Sequence, residues 1–410
     1  MNKVKILPYL TLLITLSSVL PWSTLKIGNT TFWWIVEAFI LFLLFISRSK
    51  SYRVWPINAF LLMVLISAIY GATIQAENYW DWKELVSNFM IFSLAMSVYV
   101  YDPPQVLTQT LHVWFKWAWL LFIVIAFSLE SDGFGNYFVP YVFAALFWPE
   151  LNNKQKLLMV VAFLITFFLG YESRSGVVRF TVAILLGSLL LFDMFKRKIA
   201  ALSKLLYILL LFSPIVLFAL GITGTFNIFS IGEEFGIEDK YTVKDEFGNE
   251  VSRVADTRTF IYLEEIKSAI KYNYVIQGRS IARGYESSFF ADMNVGSESD
   301  NAASLRFGER QSCEVSILNI FNYFGIIGVI VYFLIFARAA YLAVWRSNNK
   351  YMRLVGIFVA FRWMYAWVED FTNFGLNYFF LWILIGMCYS PHFREMNDYK
   401  FYSWLRKSIR

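Results

Sequence analysis

Arginines and acids at the ends of apolar runs carry the chemistry this sequence offers. The stretch 170–180 reads Gly-Tyr-Glu-Ser-Arg-Ser-Gly-Val-Val-Arg-Phe. It puts Arg174 in a very short turn between two apolar runs, with Arg179 about 7 Å deeper by helix rise. Arg258 follows Asp256 in Asp-Thr-Arg-Thr-Phe-Ile, and Arg279 and Arg283 sit in Gln-Gly-Arg-Ser-Ile-Ala-Arg. Guanidinium groups converging on one pocket suit a phosphate, because each planar fork gives two charge-assisted hydrogen bonds to its oxygens. Loop arginines that stay apart are simply solvated. A charge near a bilayer centre costs about 2.5–3.5 kcal/mol on insertion scales, so Arg179 is expected to face a bundle interior and meet an anion. That anion is either a ligand or a structural acid such as Glu172 or Glu37. Glu314, Glu172, Asp256 and Glu309 are acids of the same stretches, and Glu314 suits the N-terminus of a helix. The sequence has no P-loop, no GxGxxG opening a helix, no HExxH and no CxxC pair, so no metal or cofactor is expected. Cys313 and Cys388 fall in different contexts, which argues against a disulfide.

The elements that must position these residues are membrane helices. The chain is 58% hydrophobic and 16% charged, against about 45–50% and about 25% in soluble domains, so a water-soluble fold could not hide its apolar surface. About a dozen runs approach the roughly 20 apolar residues of a spanning helix. They lie near 6–22, 32–46, 57–74, 85–101, 109–129, 135–149, 157–170, 175–195, 204–222, 322–345, 352–368 and 374–389. The first resembles a signal peptide without a cleavage pattern and reads as a membrane helix.

Lys and Arg gather in alternate connections: Arg48, Lys50 and Arg53; Lys154 and Lys156; Lys196 to Lys198 with Lys204; Arg346, Lys350 and Arg353. The opposite connections hold Glu77, Asp81, Glu130, Asp132, Glu369 and Asp370. Positively charged short loops stay in the cytoplasm, so both termini are expected there. The net charge of +6 is then loop bias, and nucleic acid is not an expected partner. The parsing is 1–222, nine helices; 223–313, a large loop outside the cytoplasm; 314–390, three helices; and 391–410, a basic tail. Within the loop Asp256 can cap a helix running to about Asn273, with Phe260, Leu263, Ile266 and Ile270 on the face toward the membrane domain and Arg258 in its first turn. The stretch 296–304 is small and polar and reads as a connector. The fold class is therefore an all-α polytopic membrane protein with one large loop.

Three stretches together resemble the superfamily of O-antigen polymerases and O-antigen ligases. The turn Glu172-Ser-Arg-Ser-Gly176 is similar to that family's Ser-Arg-small turn. Arg258, followed twenty positions later by Gly278, is similar to its arginine, helix and glycine turn. The segment from Glu314 through Gly325 to Gly328 is similar to its exit from the large loop. The resemblance implies a GT-C-like, metal-independent glycosyltransferase of the bacterial inner membrane. Such an enzyme takes a glycan from an undecaprenyl pyrophosphate carrier and joins it to an acceptor glycan. It also implies that Arg174, Arg258 and Arg279 hold the pyrophosphate and makes a polysaccharide chain-length regulator a candidate partner; Arg179 and Arg283 are further cations by their place in the sequence. The ligases keep a histidine where this chain has Glu314. That departure favours a repeat-unit polymerase with Glu314 as general base over a ligase. A flippase or secondary transporter also fits twelve helices with cytoplasmic termini, but a loop of this size is unusual for one.

Overall fold

The computed structural model describes residues 7–25, 27–49, 53–170, 174–223, 242–244, 250–252, 257–287 and 308–409. Nearly all of it is helix. In chain order the helices are α1 (Leu7–Val19), α2 (Thr30–Ser47), α3 (Trp55–Tyr70), α4 (Tyr79–Ser93), α5 (Pro104–Ile125), α6 (Ser131–Tyr137), α7 (Val139–Ala145) and α8 (Asn153–Phe168). They continue as α9 (Arg174–Ser188), α10 (Asp193–Ile222), α11 (Thr257–Lys271), α12 (Ser316–Trp345), α13 (Lys350–Tyr365), α14 (Leu376–Tyr389) and α15 (Asp398–Ser408). Two short antiparallel pairs accompany α11: β1 (Thr242–Lys244) with β2 (Glu250–Ser252), and β3 (Tyr285–Glu286) with β4 (Glu309–Arg310).

Asparagine starts many of these helices. Asn29, Asn78, Asn152, Asn349 and Asn397 each accept a backbone N–H from the first turn that follows. Each such cap satisfies an otherwise orphaned donor and contributes typically ~1 kcal/mol.

Five helical stretches are long and apolar enough to cross a membrane: Thr30–Ser47, Trp55–Gln75, Pro104–Ser128, Ala200–Ile222 and Ser316–Trp345. Leu7–Trp22 and Leu376–Tyr389 are shorter apolar helices. The Ala200–Ile222 stretch buries only 11% of its residues inside the protein. An apolar helix so little covered by its own chain belongs against lipid. By contrast every residue of α14 is buried, and α12 packs on α3, α10, α13 and α14, so these helices form the centre. Phe60 meets Phe324, Tyr332 and Trp382 there in edge-on and tilted ring contacts with centres 5.8–5.9 Å apart.

Two sequence expectations change. The 135–149 run is broken at Phe138 between two short helices, α6 and α7, because Pro140 in the first turn of α7 has no N–H to continue the hydrogen bonds of α6. In α11 the buried face is Ile261, Tyr262, Glu265, Ser268 and Ala269, whereas Leu263 and Ile270 are exposed. The apolar periodicity therefore marks the wrong side. Ser268 and Tyr274 give the polar residues of the buried face partners, and Leu263 and Ile266 are left to line a groove.

Candidate functional site

A break in α12 organises the site. Gly325 has φ +64° and ψ −164°, which no other residue type adopts without strain, and it divides α12 into two parts. The turn after α11 enters this break. Ile326 N–H donates to the Val275 carbonyl at 2.9 Å, Ile327 N–H to Ile276 at 3.3 Å, and Arg279 N–H to the Asn322 carbonyl at 2.7 Å. Gly278, at φ +79°, meets the other side of the same crossing. A Cβ on Gly278 would stand 2.3 Å from the Phe324 nitrogen, and one on Gly325 would stand 2.3 Å from the Ile276 oxygen. The two glycines of the family-like pattern are thus one mutual backbone contact.

That contact fixes Arg279 and Arg283, and both guanidinium groups go to Glu309. Arg279 pairs with it at 2.6 Å and lies 4.5 Å from the Tyr272 ring centre. Arg283 binds it through both nitrogens, at 2.9 and 2.5 Å, and donates to the Gln75 carbonyl at 3.1 Å. Glu309 raises the Arg283 pKa further. All three side chains are largely buried, so they form a strut between the α11 turn, β4 and the segment after α3. They do not form an open anion site.

Arg258 is different. Its Nε donates to the Val368 carbonyl at 2.7 Å and its Nη2 meets Glu369 at 3.4 Å, with both side chains about one-third exposed, 34% and 30%. The segment holding Glu369 is fixed from below. The first N–H groups of α12 donate to the last carbonyls beyond α13, Ser316 to Glu369 and Ile317 to Ala366, so orphan groups of two helix ends satisfy each other. Asp370 accepts from Ser316 Oγ at 2.9 Å and from Thr372 N–H at 3.0 Å. Burial pushes the pKa of Glu369 up even though Arg258 and Arg179 pull it down, and burial raises Asp370 as well.

An apolar groove of about 220 Å³ adjoins Arg258. It is lined by Pro214 and Phe218 of α10, Tyr262, Leu263 and Ile266 of α11, and Trp367. Val368, whose carbonyl accepts from Arg258, lines it together with Thr259, so the groove runs close to the Arg258–Glu369 pair, which lies outside its lining. A second pocket, of about 340 Å³, is lined by Trp22, Trp33, Trp34, Glu37, Asn136 and Asn373. It shares the segment between α13 and α14 with the Arg258 cluster.

The remaining expected residues are spread out. Glu314 is exposed and accepts from Arg310 Nη2 at 3.3 Å, so the burial expected of a base is not found there, although it lies within the field of Glu369. Arg174 opens α9 and is exposed. Arg179 is buried, donates from Nε to the Ser175 carbonyl at 2.9 Å, and lies in the field of Glu369. Glu172 and Asp256 lie outside the described residues, although α11 does begin directly after Asp256. Glu369, Asp370 and Arg362 had counted in the sequence only as loop bias or not at all. An Arg in the apolar run 352–368 was the available signal for Arg362.

Compared with protein-family models, with curated proteins and with solved structures, the chain matches none.

Proposed function

We propose that the chain is a membrane glycosyltransferase that joins polyprenyl-pyrophosphate-linked oligosaccharide repeat units into a surface polysaccharide, working at the outer face of a bacterial inner membrane. The observation that carries this reading is the apolar groove whose lining residue Val368 accepts from Arg258, the partner of Glu369. An isoprenoid chain suits the groove, a pyrophosphate suits the guanidinium, and the tryptophan-lined pocket with its carboxylate and amides suits a sugar ring. A donor that brings its pyrophosphate to Arg258 displaces Glu369. The freed carboxylate then loses its cation and gains a neighbouring anion, and both changes make it a stronger base.

The acceptor hydroxyl oxygen attacks the donor's anomeric carbon and its proton passes to Glu369. The bond from that carbon to the pyrophosphate breaks, and the electron pair leaves on the pyrophosphate, where Arg258 stabilises the growing charge. Glu314, paired with Arg310, lies in the field of Glu369. Arg174, at the exposed start of α9, is a further cation for the approach of the headgroup.

Variants tested for chain growth in cells check the reading. Arg258→Ala should lower polymer formation by about 10- to 100-fold, with partial rescue by Lys, which keeps the charge and loses the fork. Glu369→Gln should lower it by about 100- to 10,000-fold, as loss of a general base does. Glu314→Gln should have the smaller effect. A normal polymer ladder from properly inserted Arg258→Ala and Glu369→Gln would refute the assignment, and arrest by Glu314→Gln alone would move the base to Glu314.

A further inference from the structure

Arg179 of α9 and Arg362 of α13 line one small pocket of about 20 Å³ beside Asn377, with apolar walls that include Phe358 and Phe380. The two side chains are 2% and 3% exposed. Each is held by one polar contact, Arg179 Nε on the Ser175 carbonyl at 2.9 Å and Arg362 Nη1 on Asn377 Oδ1 at 2.9 Å. The Phe371 ring centre lies 4.2 Å from the Arg362 guanidinium carbon. Nη1 of Arg179, and Nε and Nη2 of Arg362, have no hydrogen-bond partner among the described residues. The two cations repel each other, and the acid in the field of both, Glu369, gives its ion pair to Arg258.

Among the described residues neither guanidinium has an ion pair of its own, and Glu369 acts on both only at a distance. A guanidinium does not shed its proton in proteins, so neutralisation by deprotonation, the usual escape of a buried ion, is closed. A buried ion without a counter-charge at hand is strongly unfavourable, and here two share one cavity. Water would fill hydrogen bonds without cancelling charge. The cavity exceeds the roughly 10–15 Å³ that one water needs, and a single small anion fits it. We propose that this cavity is a binding site for a halide-sized monovalent anion, chloride in the cell. The anion accepts hydrogen bonds from Arg179 and Arg362 and holds α9 against α13. The site stands apart from the groove and does not depend on the function proposed above.

Wild-type protein of full length in detergent micelles, kept at constant ionic strength with sodium gluconate, tests this. Its unfolding midpoint should rise saturably by several degrees as gluconate is exchanged for chloride or bromide. The chlorine-35 resonance of the same sample should broaden, and bromide should reverse the broadening. Arg179→Met and Arg362→Met should each lose the halide response and, in gluconate alone, melt no lower than the wild type, because the repulsion is gone. A halide-independent midpoint and an unbroadened resonance in the wild type would overturn the site without using any variant. An equal halide response in Arg362→Met would do the same. Stabilisation by pyrophosphate but not by halide would assign the two arginines to a lipid headgroup and also refute the proposal.

Discussion

Arg258 and Glu369 form a pair of the kind a substrate can open: about one-third exposed, held at 3.4 Å, and close to an apolar groove. Glu265 on the same helix is its opposite, a carboxyl with no exposure whose Oε1 accepts from Tyr274 at 3.4 Å and whose Oε2 has no partner among the described residues. Burial raises its pKa well above the ordinary 4.5. A carboxyl raised in the folded state adds stability that is fully present below the unfolded pKa and is lost as pH climbs toward the folded one. Melting midpoints taken from about pH 5 to about pH 8 should therefore fall in the wild type and fall less in Glu265→Gln, which cannot ionise. Parallel curves would show that Glu265 is not a buried titrating group. Residue type and spacing pointed to arginine and acid chemistry, and Arg258 in the first turn of a loop helix was readable from Asp256 and the apolar period. The partners were not. Glu309 lies 26 residues from Arg283, Glu369 lies 111 from Arg258, and only folding decides such pairs.

At the level of elements the crossing of Gly278 and Gly325 does the positioning. Loop carbonyls at 275 and 276 take the N–H groups that the break in α12 exposes, and the same crossing sets Arg279 on Glu309. A left-handed conformation imposed on an ordinary residue costs on the order of 1–3 kcal/mol. A Cβ at either position also meets backbone atoms, which cannot move aside as a side chain would. Gly325→Ala and Gly278→Ala should therefore each lower the melting midpoint of the purified protein by several degrees, and the double variant should lose less than the sum because the two share one contact. Additive losses would mean that the glycines act separately. The sequence suggested a glycine turn at both places through its family-like pattern, but not that the two turns are one junction. The face of α11 was misread because a loop helix packed against a membrane body can bury polar residues that find partners, and periodicity weighs only apolar ones.

For the whole molecule, helices with bare apolar flanks surround a buried centre of α12 to α14, as expected of a protein dissolved in lipid. Composition made this plain in advance. The orientation that the proposed function needs rests on the Lys and Arg alternation, so reporter fusions after Arg197 and Arg346 should read as cytoplasmic and one at Asp245 as external. A cytoplasmic reading at Asp245 would remove the site from the outer face. The central claim is that the groove and Arg258 receive a lipid pyrophosphate, and the most direct measurement is carrier binding to the purified protein in nanodiscs. Undecaprenyl pyrophosphate should bind about 10- to 100-fold more tightly to the wild type than to Arg258→Ala, while undecaprenol, which lacks the anion, should bind both equally and weakly. Equal affinity of the wild type and Arg258→Ala for the pyrophosphate carrier would contradict the account.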